Sequence, residues 1–280
     1  MQFGPFLVFQ IRQYLLRPRW LLAFPAILFV AYRSTNAVVY QSTTYYNAPS
    51  NAWDAAFHAL GSADAVYLLL SALFLYLVCD LLPEPRYGQW ALMRLGSRQA
   101  WWLAKVLTVF LAALLYTALT AVLVLGMASL RLPLESTWSV ATKDQFHFIE
   151  IGLTKDALNS PPLVIYLQMV LLLGLGWLAM GLVTLAGTLL SHRPLVGFLA
   201  GATLLLAGYV GAWASGMIPT QFPYILLPSF HMEYTPGPMP IRQLPVATSV
   251  LYWLVWAAVL TGAGLAFSRR QDYFAHDQTA

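Results

Sequence analysis

The chain has 280 residues, of which 59% are hydrophobic and only 9% are charged, and its net charge is +4. A soluble domain carries about 25% charged residues, so this composition excludes an ordinary soluble protein. A membrane crossing takes about 20 residues, and the length therefore fits roughly six crossings and no sizeable soluble domain. The basic residues are scattered among the loops, which argues against nucleic-acid binding.

Six apolar runs predict an all-α, polytopic membrane protein. The segment 1–19 mixes apolar and basic residues and is predicted to be an interfacial helix that precedes the first span. The predicted spans cover residues 20–40, 63–82, 101–130, 163–190, 195–217 and 246–267. We therefore expect residues 1–280 to form one transmembrane domain.

The arginines and lysines predict the orientation of the spans, because basic side chains accumulate in short cytoplasmic loops. Ten of the fifteen basic residues fall on one side of the six-span arrangement. They are Arg12, Arg17, Arg19, Arg86, Arg94, Arg98, Lys105, Arg193, Arg269 and Arg270. Both termini are therefore predicted to be cytoplasmic, in a multi-pass protein of the cell membrane. The segments 41–60, 131–162 and 218–245 are then external loops.

Three charged residues, Arg33, Asp64 and Asp80, fall within the first two predicted spans. Charged side chains at membrane depth are costly and often mark function. Each of the three lies close enough to a predicted helix end for its charged group to reach the interface. We interpret them as interfacial residues, with an ion pair between Arg33 and Asp64 at the external mouth as the alternative.

Small residues in the fifth predicted span indicate close helix packing. Gly197, Gly201 and Gly208 allow another helix backbone to approach closely, which matters in a bilayer, where no hydrophobic force drives helices together. The partner helix belongs either to the same chain or to a second copy.

The sequence lacks the common catalytic motifs. There is no Gly-x-x-x-x-Gly-Lys-Ser/Thr phosphate loop, no His-Glu-x-x-His and no Gly-x-Ser-x-Gly. The five histidines fall in different loops or tails, and Cys79 is the only cysteine, so neither a metal site nor an intramolecular disulfide is predicted. We do not expect this chain to be an enzyme or to hold a cofactor.

The connection between spans 2 and 3 has the most informative order of residues. Glu84 is followed by Gly88, by an apolar stretch over 90–93, by the pair Ser97-Arg98 and then by Lys105. This order, together with the six-span layout, resembles the ABC-2 type permeases, the membrane-spanning subunits of ABC transporters. Two departures from that family are the prolines on either side of Glu84 and the absence of a proline just before Ser97.

The resemblance implies a short cytoplasmic coupling helix that contacts a separate ATPase subunit, which would bind ATP and Mg²⁺. The residues expected to form this coupling loop are Glu84, Arg86, Gly88, Trp90, Leu92, Met93, Arg94, Ser97, Arg98 and Lys105. An apolar anchor at Trp90 and arginines that can pair with carboxylates suit such a contact. The alternative is an ordinary basic loop that contacts anionic membrane lipid.

The function implied by the resemblance is export of a hydrophobic or amphipathic substrate by a permease that pairs with a second copy, as a homodimer or a related heterodimer. Apolar spans with few charges are compatible with such a substrate. Two other classes stay open: a non-transporting membrane scaffold or sensor subunit, and a lipid-modifying membrane enzyme. The enzyme would need clustered polar catalytic groups at the membrane surface, which the sequence does not show.

Overall fold

The computed structural model describes residues 3–82, 95, 97–144, 155–213, 228–232 and 245–270. Within these residues every regular element is helical and no strand occurs, which confirms the all-α fold class. Four helical segments are long and apolar enough to cross a bilayer. They are Pro18–Thr44, Arg98–Ser129, Pro162–Ser191 and Val246–Ser268. These helices indicate a multi-pass membrane protein.

The described helices are numbered here in chain order. They are α1 (Phe3–Tyr14), α2 (Ala23–Gln41), α3 (Ala52–Gly61), α4 (Asp64–Val78), α5 (Arg98–Ser129), α6 (Val140–Asp144), α7 (Pro162–Ser191), α8 (Pro194–Trp213), α9 (Ser229–Met232) and α10 (Val246–Arg270). A 3₁₀ turn, Pro18–Leu22, leads into α2, and a π-helical turn, Ser42–Tyr46, extends it; a further 3₁₀ turn covers Lys155–Asn159.

Helix α1 is amphipathic. Phe6, Gln10 and Tyr14 recur every four residues and are buried, because this spacing places them on one face of a helix. Val8 and Phe9 are exposed on the rest of its surface. The segment predicted to be an interfacial helix is thus helical and packs one face against the bundle, chiefly on α5.

Helices α3 and α4 form a bent pair, with an angle of 69° between them. Helix α3 starts at a capping box, in which the Asn51 side chain accepts a hydrogen bond from the Trp53 N–H and Asp54 accepts one from the Asn51 N–H. The first part of α4, Asp64–Ser71, is π-helical. The segment 41–60 was predicted to be an external loop, but part of it forms helix α3, because the capping box at Asn51 starts a helix there.

The segment that follows α5 packs on α3. The Thr142 hydroxyl donates a 2.5 Å hydrogen bond to Asp54 Oδ1, and the Trp53 indole N–H donates one of 2.6 Å to the Glu135 carbonyl. The rings of Phe57 and a tryptophan of this segment stack with centroids 5.3 Å apart. Helix α3 therefore lies near the end of α5, whereas α1 packs near the start of α5.

The centre of the bundle is an aromatic cluster around α7. The Trp177 ring lies edge-on to Tyr116, with centroids 4.8 Å apart, and stacks on Phe74 at 6.2 Å. The Trp177 indole donates a hydrogen bond to Ser71 Oγ, and the Tyr116 hydroxyl donates one to the Leu70 carbonyl, both at 2.8 Å. All these residues are buried, and their polar atoms have partners, as a core away from water requires.

Contacts along α5 and α7 show that the two helices run antiparallel. Gly181 of α7 lies against Val109 of α5, and Gly174 lies against Thr117, so the residue numbers change in opposite directions. Helix α8 follows α7 after a tight turn at His192, which has a left-handed backbone conformation with φ of 57°. The start of α5 and the turn between α7 and α8 therefore lie at the same end of the bundle.

Candidate functional site

Charged and polar side chains gather where α1, the end of α4 and the start of α5 meet. We call this cluster the polar end. It comprises Gln10, Tyr14, Arg17, Arg19, Asp80, Leu81 and Lys105. It lies directly beside the connection between spans 2 and 3 that the sequence analysis assigned to the coupling loop.

Lys105 is the buried centre of the polar end. Its side chain is fully buried, and Nζ donates hydrogen bonds of 2.8 Å to Gln10 Oε1 and of 2.8 Å to the Leu81 carbonyl. The ammonium also lies 4.6 Å from the centre of the Tyr14 ring, in cation–π geometry. An ammonium away from water needs such acceptors, because its desolvation is costly. Lys105 therefore connects α1, the end of α4 and α5 through one group.

Asp80 joins the same elements near the surface. Its two carboxylate oxygens accept hydrogen bonds from Arg17 and Arg19, which precede α2, while Arg17 Nε donates to the Gln13 carbonyl at 2.5 Å. The Arg17 and Asp80 side chains are about one-third exposed, so these ion pairs contribute modestly to stability. The sequence analysis interpreted Asp80 as a residue that reaches the interface, and the structure adds two arginine partners.

Of the residues predicted for the coupling loop, the structure describes Ser97, Arg98 and Lys105. The Ser97 side chain caps α5 by accepting a hydrogen bond from the Ala100 N–H at 3.3 Å, and Arg98 is the first residue of the helix. Seven other predicted residues lie outside the described residues. They are Glu84, Arg86, Gly88, Trp90, Leu92, Met93 and Arg94. Lys105 follows Arg98 by about two helical turns, and its side chain is buried inside the bundle.

The three glycines proposed for helix packing lie against helices of their own chain. A Cβ atom at Gly201 would approach Leu75 Cδ2 of α4 to 2.8 Å, and one at Gly208 would approach the Tyr67 ring to 2.7 Å. A Cβ atom at Gly197 would collide with Thr188 of α7. The absent side chains thus let α8 approach α4 and α7 closely.

Arg33 and Asp64 line one cavity of about 430 Å³ between α2, the α3–α4 break and α8. The Tyr209 hydroxyl donates a hydrogen bond of 3.1 Å to Asp64 Oδ1. In the described part of the chain no ion pair joins Arg33 to Asp64. The two charges therefore face a common space without the direct pair that the sequence analysis gave as an alternative.

Sequence reasoning missed Gln10 and Tyr14, the α1 residues that contact Lys105. Their signal is the spacing Phe6, Gln10, Tyr14, in which a glutamine stands between two aromatic residues on the buried face of an amphipathic helix. A polar side chain on such a face needs a buried partner, and here the partner is a lysine 95 residues away in the sequence.

The described residues contain no group of three or more His, Cys, Asp or Glu side chains placed to hold a metal ion. Comparisons with protein-family models, curated proteins and solved structures found no match to this chain.

Proposed function

We propose that this chain is the membrane-spanning permease subunit of an ABC transporter of the ABC-2 type, which exports a hydrophobic or amphipathic substrate and is powered by a separate ATPase subunit. The observation that carries the proposal is Lys105. It is the last residue of the order that begins at Glu84, and it is buried in hydrogen-bonded contacts that join α5 to α1 and to the turn after α4. ATP and Mg²⁺ would be bound by the partner.

The proposal includes six membrane spans with both termini in the cytoplasm. Four helices meet the length and hydropathy of a span, and the proposal takes the bent pair α3–α4 as the fifth span and the shorter apolar helix α8 as the sixth. This arrangement puts the polar end and the coupling loop on the cytoplasmic side, where most of the basic residues fall. A second permease copy, identical or related, completes the transporter, as the family resemblance implies.

The polar end suggests how a push on the coupling loop would reach the spans. The loop follows the turn after α4, where Lys105 contacts the Leu81 carbonyl, and it enters α5 at Ser97, about two helical turns before Lys105. The Asp80 ion pairs connect the same place to the start of α2. A displacement of the loop would therefore move α1, α4 and α5 together through the buried Lys105 contacts, and α2 through the partly exposed ion pairs.

The test is copurification of the ATPase with two variants of the coupling loop. Trp90→Ala should weaken the complex roughly thirtyfold, since loss of an aromatic anchor costs about 2 kcal/mol. Arg98→Glu should weaken it through charge reversal, and Arg131→Glu, an exposed arginine after α5, serves as the matched control.

Contact with anionic lipid alone makes a different prediction from contact with an ATPase. A lipid-contacting loop would lose affinity for anionic vesicles in Arg98→Glu and keep the ATPase complex intact. Unchanged copurification and unchanged substrate-stimulated ATP hydrolysis in both variants would contradict the coupling assignment.

A further inference from the structure

The break between α3 and α4 opens onto the cavity that contains Arg33 and Asp64. His58, Ser62 and Asp64 stand on the two sides of the break, and all three line the cavity. Non-helical backbone within a bilayer occurs only where it is buried in protein or lines a polar cavity. The break and the polar lining are therefore one feature of the molecule.

The charged residues of the cavity lie far from the polar end along the helices. The ion pairs of the polar end place the start of the segment Pro18–Thr44 beside the end of α4, at the same height along the helix axes. From that level Arg33 lies 15 residues along the segment and Asp64 lies 14 residues back from Val78, roughly 20 Å along the helix axis in each case. In a hydrocarbon core about 30 Å thick, both charges therefore lie toward the opposite interface, where Arg131 after α5 donates a hydrogen bond to Asn36, about one helical turn beyond Arg33.

These two charges have opposite signs and remain apart. Arg33 and Asp64 are both exposed side chains that face the cavity, and Tyr209 holds the Asp64 carboxylate in place. Among the described residues no carboxylate pairs with Arg33. Because unpaired charges at the edge of the hydrocarbon core are costly, such a pair of sites is expected where a ligand brings the complementary charges.

Two apolar side chains of the cavity lining are exposed on the outer surface of the helices. Phe29 is 58% exposed and Leu68 is 47% exposed, and both line the cavity at the outer surface of α2 and α4. A volume of about 430 Å³ accommodates a polar headgroup but not two acyl chains, and it falls within the usual range of ligand pockets, about 300–1,000 Å³. The acyl chains would then lie along the exposed apolar faces of α2 and α4.

We infer that this cavity binds the zwitterionic headgroup of a membrane lipid, with Arg33 binding its anionic phosphate group, Asp64 binding its ammonium group, and the acyl chains remaining outside along Phe29 and Leu68. These exposed apolar side chains favour entry from the bilayer over entry from water. That the bound lipid is also the exported substrate rests on the proposed transport function, whereas binding itself needs only this chain.

The experiment measures lipid binding to the purified full-length chain, without an ATPase, by native mass spectrometry in detergent. The probes are dioctanoyl phosphatidylethanolamine, dioctanoyl phosphatidylglycerol, which lacks the amine, uncharged dioctanoylglycerol, and O-phosphoethanolamine, which lacks the acyl chains. We expect the phosphatidylethanolamine to bind at least about tenfold more tightly than each of the other three, because each charge pairing adds a charge-assisted hydrogen bond.

Variants of the two charged residues test the contribution of each charge to lipid binding. Arg33→Gln should weaken both phospholipids at least about tenfold, whereas Asp64→Asn should remove the preference for phosphatidylethanolamine over phosphatidylglycerol. Ala65→Phe keeps both charges and should block binding by filling the cavity. Lys143→Gln and Glu135→Gln, which remove exposed charges outside the cavity, are the matched controls and should bind as the wild type does.

Three results would overturn the inference. Equal binding of all four probes by the wild type, or unchanged binding in the three cavity variants when they elute as folded protein, would show that the charges do not recognise a ligand. O-phosphoethanolamine bound as tightly as the lipid would exclude a membrane lipid as the occupant. Because no ATPase is present, loss of the ATPase interaction in the coupling-loop experiment would leave this result unaffected.

Discussion

Replacing Lys105 with methionine tests the buried contact at the polar end. The substitution keeps a long side chain but removes the donor that Gln10 Oε1 and the Leu81 carbonyl each contact at 2.8 Å. A buried polar group left without its partner costs about 1–3 kcal/mol, so the two acceptors together lose about 2–6 kcal/mol. The lost cation–π contact with Tyr14 adds about 1 kcal/mol. Methionine also avoids the cost of burying an ammonium, which offsets part of the loss.

We therefore expect the free energy of unfolding to fall by about 3 kcal/mol in Lys105→Met. The assay is equilibrium unfolding in mixed micelles with increasing dodecyl sulfate, followed by tryptophan fluorescence. Lys143→Met, which removes an exposed lysine of α6, is the matched control and should change stability by less than about 0.5 kcal/mol. Equal stabilities of the two variants would refute the conclusion that the Lys105 contacts hold α1, α4 and α5 together.

Two further predictions concern topology and packing. Single cysteines at Gln99 and Gln221, in a background that lacks Cys79, should react with a membrane-impermeant reagent from opposite faces, and reaction from one face would overturn the proposed orientation. Gly201→Leu should destabilise the folded chain by about 1–3 kcal/mol, because the new side chain collides with α4 and α7. Gly262→Leu is the control, since a Cβ atom there meets nothing within 4 Å. Equal unfolding midpoints would show that α8 does not depend on this close approach.

Much of the fold follows from long apolar runs. The helices Arg98–Ser129, Pro162–Ser191 and Val246–Arg270 coincide with such runs to within a few residues. Each run is longer than an ordinary strand and is bounded by proline or charged residues, and this combination predicts a helix rather than a strand. Hydrophobicity therefore places these helices without any tertiary information.

The break between α3 and α4 was not predicted, although the local sequence does contain a signal for the start of α3. Asn51 followed by Asp54 is the pattern of a capping box, which indicates a helix start within a segment assigned to a loop. The π-helical turn at Asp64–Ser71 has no comparable sequence signal. Within this turn the Leu70 carbonyl accepts a hydrogen bond from Tyr116 of a distant helix, a contact that the local sequence does not reveal.

The residues of the polar end were predicted in part. Lys105 was selected because of its place in the family-like order of the coupling loop, but its burial and its partner Gln10 depend on how α1 packs. Asp80 forms ion pairs with Arg17 and Arg19, which precede it in the sequence by 63 and 61 residues, respectively. Pairings over such distances are set by tertiary structure, which hydrophobic periodicity does not encode.

Affinity purification of the tagged chain from its own cells, in a mild detergent and followed by mass spectrometry, tests the proposed transport function most directly. If the chain is a permease subunit, an ATPase that carries the Gly-x-x-x-x-Gly-Lys-Ser/Thr phosphate loop should copurify with it in equal amounts. The same complex in lipid vesicles should hydrolyse ATP faster when an amphipathic substrate is added. Recovery of the folded chain without any such ATPase would contradict the permease assignment and favour a scaffold or sensor subunit.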